Sequence, residues 1–227
     1  MPEINSIPYE SAEDLKIYLY DSYVSTEDIV EVSTGTGIAT PKVTELLQET
    51  GITQNSECLL YYDNNTFNPL YARAIWKMRM NSMDDCFAFF GFKESTGVPT
   101  PNMIESHAGF MIYTDPADPA QKGKLYASVA DGYHQQRVEI VGIDCVRVEN
   151  FMIQFCKFSV MPLPATEEQL GLPLVLSIDR KWKLMQSLDT YPPINEVHYL
   201  MQYIKNTVNE SKTIAFNRLI YSEVYAD

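Results

Sequence analysis

The alternation of apolar and polar residues predicts a chain built from short strands. In residues 73–80 the apolar side chains Ala74, Trp76, Met78 and Met80 take every second position, and the opposite face carries Arg73, Lys77 and Arg79. This period of two is typical of a half-buried strand. Residues 86–92 are instead apolar on both faces, as expected of a strand that is covered on both sides. Further strands are predicted at 109–114, 125–130, 136–140, 151–158, 174–179, 197–204 and 213–221, the last with Ile214, Phe216, Arg218 and Ile220 on one face.

Turn-forming residues separate these runs. They occur at Asp63–Asn65, Asp115–Pro119, Asp131–Gly132, Pro162–Pro164, Tyr191–Pro193 and Asn206–Ser211. Many short strands between turns, with no long helical period, favour an all-β antiparallel sandwich of two sheets. No linker or composition shift divides the chain, so a single domain is predicted over 1–227, with residues 1–13 as an N-terminal arm.

Two segments carry local helix signals. Thr166–Gly171 has a capping box, Thr166 with Gln169, and a terminating glycine. Thr40–Gly51 has a threonine N-cap, Pro41 at the first helical position and a closing glycine. Its flanking sequence has β character, so a strand remains the alternative for the second segment.

Charge and composition limit the classes of function that are plausible for this chain. The chain has 227 residues, 45% hydrophobic and 21% charged, which is ordinary globular usage. Its 17 basic and 30 acidic residues give a net charge of −13, which disfavours nucleic acid and anionic lipid as partners. No apolar run approaches the length of a membrane span, and the first residues do not resemble a signal peptide.

The four cysteines are scattered without a C-x-x-C pair: Cys58, Cys86, Cys145 and Cys156. Zinc and redox motifs require closely spaced thiols, so neither is predicted. Apolar neighbours favour reduced core thiols, with a Cys58–Cys86 or Cys145–Cys156 bridge as the alternative.

Six short segments stand out when they are taken in order: Val32–Gly37, Gln54–Tyr62, Ala88–Phe92, His107–Phe110, Leu125–Gly132 and Tyr199–Asn206. Together these phrases resemble the concanavalin A-like lectin/glucanase sandwich, and most closely its non-catalytic version in virion, phage-tail and cell-surface proteins. The resemblance runs from about residue 14 to the end and implies a jelly-roll sandwich with one or two short helices. It also implies a strand, not a helix, at Thr44–Gln48. Gly91 is expected at a bulge or a close backbone approach, and Asp131–Gly132 at a tight hairpin turn.

Catalytic patterns of this fold are absent from the sequence. Glucanases place carboxylates at alternate strand positions, whereas Glu139, Asp144 and Glu149 are spaced by five, which sends neighbours to opposite strand faces. The segment His134–Arg137 has the residue types of a lyase strand motif in the wrong order. A triad built on His107, His134 or His198 lacks a nucleophile elbow.

Ligand sites are predicted from residue type. Asp115 and Asp118, or Asp84 and Asp85, could supply oxygen ligands to calcium, but solvated turn aspartates are the favoured interpretation and no cofactor is predicted. Aromatic and planar polar side chains near strand ends are candidates for sugar contact: Tyr126, Tyr133, His134, Arg137 and Trp182.

These observations predict a non-enzymatic structural and recognition protein. The resemblance implies a component of a virus particle or cell surface that associates with itself or with other subunits and takes a glycan as ligand. A polysaccharide hydrolase or lyase on the same sandwich, and a purely architectural capsid or appendage subunit, are the alternatives.

Overall fold

The computed structural model describes residues 15–20, 29–42, 45–67, 72–115, 117, 122–155, 174–179, 181–185 and 198–224. Within these ranges all regular structure is β and no helix occurs, so no described helix could cross a membrane. The strands are β1 (Leu15–Tyr20), β2 (Ile29–Thr34), β3 (Ile38–Pro41), β4 (Leu46–Glu49), β5 (Glu57–Phe67), β6 (Ala72–Met80), β7 (Cys86–Lys93), β8 (His107–Tyr113), β9 (Lys124–Ala130), β10 (Gln135–Ile140), β11 (Glu149–Phe155), β12 (Leu174–Ile178), β13 (Trp182–Met185), β14 (His198–Asn206) and β15 (Thr213–Val224).

The described strands form two antiparallel sheets. One has the order β13-β12-β11-β6-β15-β4-β3, and β1 pairs with the far half of β15 to make eight strands. The other has the order β10-β9-β8-β7-β14-β5-β2. The two sheets pack face to face over one apolar interior, which confirms the predicted β-sandwich.

Aromatic side chains from both sheets meet at the centre of this interior. Trp76 and Phe151 come from the eight-stranded sheet, and Phe90 and Phe110 from the seven-stranded sheet. The ring of Phe90 lies 5.7 Å from that of Trp76 and 4.9 Å from that of Phe151. All four side chains are fully buried, so the cluster holds the two sheets at a fixed spacing.

Gln48 adds a polar connection between the sheets. Its Nε2 donates to the carbonyl oxygen of Cys58 at 2.6 Å and to that of Gln202 at 3.2 Å. Gln48 belongs to β4 of the eight-stranded sheet, whereas its acceptors belong to β5 and β14 of the other. The side chain is completely buried, so these bonds replace water that it loses on folding.

Most strand predictions are confirmed. On β6 the residues Ala74, Trp76, Met78 and Met80 are buried while Lys77 and Arg79 are exposed, and every position of β7 is buried. The turns at 131–134 and 206–211 connect strands as expected. The predicted helix at 166–171 and the turns at 162–164 and 191–193 lie outside the described residues.

One open alternative is decided, and two local predictions are wrong. The helix signals of 40–51 are overridden because β3 and β4 pair there, and β4 pairs onward with β15; the strand alternative is confirmed for 46–49. Asp63–Asn65 lies inside β5, where the ladder with β14 is irregular, and not in a turn. A register shift after Phe216 pairs Arg218 with Lys77 and Leu219 with Trp76, so the alternation of β15 does not keep one face.

Three cysteines are described, and all are buried and unbridged: Cys58, Cys86 and Cys145. The Cys58–Cys86 bridge is therefore excluded, while Cys156 lies outside the described residues. Burial raises the pKa of Cys86 and of Cys145 to about 12, which leaves these thiols protonated and unreactive at neutral pH.

The close approach predicted at Gly91 is confirmed. Gly91 of β7 is paired with Gly109 of β8. A Cβ on Gly91 would come within 2.4 Å of the carbonyl oxygen of Ala108 and 2.5 Å of the Cα of Gly109. Only glycine fits here without moving backbone.

We expect Gly91→Ala to lower the free energy of unfolding by about 3 kcal/mol, because the added methyl group overpacks the β7–β8 contact. Gly142→Ala is the matched control: its φ is +84°, but a Cβ there meets nothing within 4 Å, so only backbone strain of about 1 kcal/mol is added. Urea denaturation measures both. Equal decreases in the free energy of unfolding in the two variants would contradict the close approach at Gly91.

Candidate functional site

The loop between β9 and β10 presents two ring side chains to solvent. Oδ1 of Asp131 accepts the backbone N–H groups of Tyr133 at 2.8 Å and of His134 at 2.7 Å. Burial alone would raise the pKa of Asp131, but the hydrogen bonds from these amides outweigh it and hold the pKa below its usual range. Tyr133 is 82% exposed and the His134 side chain 83%.

A second loop, residues 94–106, is fixed beside the first. The N–H of Gly132 donates to the carbonyl oxygen of Ile104 at 3.0 Å. The carbonyl oxygen of Pro101 accepts from Nε2 of Gln135 at 3.0 Å and from Nη1 of Arg137 at 3.2 Å. Ile104 remains about half exposed. We call the surface formed by Tyr133, His134, Arg137 and Ile104 the hairpin platform.

Arg137 is held on a second side by an aromatic ring. Its guanidinium carbon lies 5.9 Å from the ring centroid of Tyr126 on the neighbouring strand, a cation–π distance. Lys124 and Glu139, on the same two strands, form an ion pair at 3.2 Å. The hairpin therefore carries one fixed guanidinium next to a neutralised pair.

A buried network lies beneath the platform. Nδ1 of His107 is 2.7 Å from the carbonyl oxygen of Glu105, which can only accept, so Nδ1 carries the proton. Nε2 of the neutral ring then accepts the hydroxyl proton of Ser128 at 2.8 Å, and Ser128 accepts from Nε2 of Gln135 at 3.2 Å. Burial lowers the pKa of His107 to about 4, which agrees with a neutral imidazole.

The ends of loop 94–106 are held against the sheet by an ion pair and by hydrogen bonds. Lys93 is almost completely buried, and its ammonium group pairs with Glu105 and donates to Oγ of Ser95 at 2.6 Å. Burial alone would raise the pKa of Glu105, but the hydrogen bonds from Lys93 and Ser95 outweigh it and lower this pKa. Oγ of Ser106 lies 2.8 Å from Nε2 of His198. The loop that supplies Pro101 and Ile104 is thus anchored at both ends.

Four of the five residues predicted for sugar contact lie on this hairpin. Tyr126 is half-buried, while Tyr133, His134 and Arg137 are exposed. The fifth, Trp182, is placed on β13 at the edge of the other sheet. Their role as ligand contacts stays a prediction. Sequence reasoning missed Ile104, Gln135 and the Pro101 carbonyl, because only the folded loop brings them to the hairpin.

The acidic residues weighed for catalysis do not converge in the described structure. Glu139 lies on β10, and Asp144 follows it in a loop where Oδ1 accepts the N–H of Val146 at 3.0 Å. Glu149 belongs to the other sheet and binds Lys181 at 2.6 Å. These three carboxylates lie on separate elements and have separate partners.

The calcium prediction stays open. Oδ1 of Asp115 accepts the N–H of Ala117 at 2.9 Å, and Asp118 lies outside the described residues. Asp84 binds the N–H of Gly123 at 2.7 Å. Nowhere in the described ranges do three or more His, Cys, Asp or Glu residues gather as a metal site would require.

No protein-family model and no curated protein matches the chain. Solved structures do match. The carbohydrate recognition domain of Emp47p is 12% identical, covers 96% of this chain and 100% of that domain, and gives a TM-score of 0.58. Peanut lectin is 9% identical with coverages of 94% and 99% and a TM-score of 0.59. A legume lectin-like domain from Entamoeba histolytica is 9% identical with coverages of 87% and 91% and a TM-score of 0.58.

At such low identities the likeness shows the fold alone. The chain has the concanavalin A-like lectin β-sandwich, as the six sequence phrases imply.

Acidification should destabilise the fold through His107. The unfolded imidazole binds a proton near pH 6.5, whereas the folded one does so only near 4. Between these values the unfolded state binds more protons, so the free energy of unfolding falls as the pH falls, by up to about 3 kcal/mol. Urea denaturation from pH 7 to pH 4 should show this slope in the wild type and a flatter one in His107→Gln.

His134→Gln is the control, because the side chain that it replaces is exposed to solvent. We expect it to keep the slope of the wild type. A His107→Gln profile as steep as that of the wild type would contradict the assignment.

Proposed function

We propose that this chain is a non-catalytic carbohydrate-recognition protein and that the hairpin platform is its binding surface. The observation that carries the proposal is the exposed Tyr133 ring on a loop that Asp131 holds by two backbone hydrogen bonds. The names of two solved neighbours, Emp47p carbohydrate recognition domain and peanut lectin, are consistent with this class.

Tyrosine suits this task physically. A pyranose ring has an apolar face that packs on an aromatic ring, and its hydroxyl groups require planar polar partners at the rim. Tyr133 offers the ring, and His134 and Arg137 offer polar groups within the same hairpin. Because the backbone is already fixed, little conformational entropy is lost on binding.

Substituting Tyr133→Ala should weaken glycan binding at least about tenfold, which corresponds to about 1.4 kcal/mol. Tyr133→Phe should retain most of the affinity, because the ring supplies the stacking surface. Isothermal titration with a ligand selected from an immobilised glycan panel measures both.

Ile52→Ala is the control, since Ile52 is also strongly exposed but lies in the loop before β5, away from the hairpin. It should bind like the wild type. A Tyr133→Ala variant with wild-type affinity would move the site elsewhere, and a protein that binds no glycan on the panel would overturn the proposal.

The wider setting that we propose is a component of a virus particle or cell surface that associates with copies of itself. The supporting feature is the loop 141–148, where Val141, Val146 and Val148 are exposed apolar side chains. A partner that covered these three side chains would remove their apolar surface from water.

Sedimentation should therefore give a mass above the 25.9 kDa of one chain. Val146→Asp should shift the protein towards the monomer, because a carboxylate in an apolar contact is costly. A wild type that is monomeric at high concentration would contradict self-association.

A further inference from the structure

The structure also points to the chemical class of the glycan. We infer that the hairpin platform selects saccharides that carry a carboxylate, such as uronic acids, and that Arg137 binds this carboxylate. The inference rests on the proposed function, because it needs the platform to be the saccharide site.

The first observation is the pairing of charges around the platform. Lys124 pairs with Glu139 at 3.2 Å, and Lys93 pairs with Glu105. Among the described residues, Arg137 has no carboxylate within ion-pair distance, so it differs from these two lysines.

The second observation is that the guanidinium group is held in place. The carbonyl oxygen of Pro101 accepts one hydrogen bond from Nη1, and the ring of Tyr126 packs near the guanidinium plane. A guanidinium carries five N–H donors, so further donors remain for a ligand. Its planar fork matches the two oxygens of a carboxylate, and a fork that is already fixed loses little entropy on binding.

The nearby acids already have donors of their own. Asp131 accepts the amides of Tyr133 and His134, and Asp115 accepts the amide of Ala117. Glu139 pairs with Lys124. The net charge of −13 opposes anionic ligands at long range, but at 0.15 M salt this repulsion is screened beyond about 8 Å. Local contacts therefore decide the preference.

The experiment compares three oligosaccharides of equal length by isothermal titration at 0.15 M salt: an oligogalacturonate, its methyl ester and a sulfated galactan. The ester keeps the ring geometry and removes the charge. We expect the oligogalacturonate to bind at least tenfold more tightly than either of the other two. Arg137→Gln should reduce this preference to less than twofold, and Arg137→Lys should retain part of it.

Arg147→Gln is the matched control, because it removes an exposed guanidinium in the loop 141–148 and leaves the Lys124–Glu139 pair intact; the tenfold preference should survive. Thermal unfolding verifies that each variant is folded.

The outcomes separate the two proposals. If acid and ester bind equally and both require Tyr133, the carboxylate inference is overturned, but the hairpin platform is retained as the saccharide-binding surface. If Arg137→Gln weakens the binding of acid and ester by the same factor, the preference does not come from Arg137 and the inference is likewise overturned. Preference for the sulfated ligand overturns it in favour of sulfate recognition. If none of the three saccharides binds, the carboxylate inference is overturned. Binding to the glycan panel then tests the proposed function separately.

Discussion

The packing of Phe90 against aromatic rings from both sheets is the interaction on which the rest of the structure depends. It sets the distance between the sheets and makes the outer half of the seven-stranded sheet a rigid extension of the interior. The strands β7, β8, β9 and β10 follow one another in that sheet, so each takes its position from the one before. The hairpin at the end of this series is therefore placed by contacts several strands away, and Asp131 then fixes its loop locally.

Buried polar groups then fix the orientation of the loop 94–106 relative to the sheet. A buried Lys93 or His107 without partners would cost several kcal/mol, so both must keep the geometry that satisfies them. Because their partners lie in or next to loop 94–106 and on β9, the loop and the sheet cannot move independently without breaking these bonds. The orientation of the hairpin surface is thus maintained by groups that lie beneath it.

Sequence reasoning recovered what local physics determines. The alternation on β6, the double burial of β7 and the Asp131–Gly132 turn follow from residue type and period alone. The remaining features depend on contacts between residues that are far apart in sequence. Capping signals after Thr40 favoured a helix, yet pairing of β4 with β15 outweighed them. The register shift after Phe216 and the hydrogen bonds from Gln48 to the opposite sheet join residues far apart in sequence, which no local pattern reports. For the candidate site, the aromatic and polar residues of the hairpin could be named from the sequence, but the contribution of loop 94–106 could not.

The position of the hairpin at one margin of the sheet has an evolutionary consequence. Tyr133, His134 and Arg137 are exposed, and none of them takes part in the central packing between the sheets. Substitutions there can accumulate without cost to folding, whereas changes at Gly91 or Phe90 cannot. The surface of the hairpin can thus change while the scaffold persists, which agrees with a shared fold at sequence identities of 9–12% between this chain and the three solved structures.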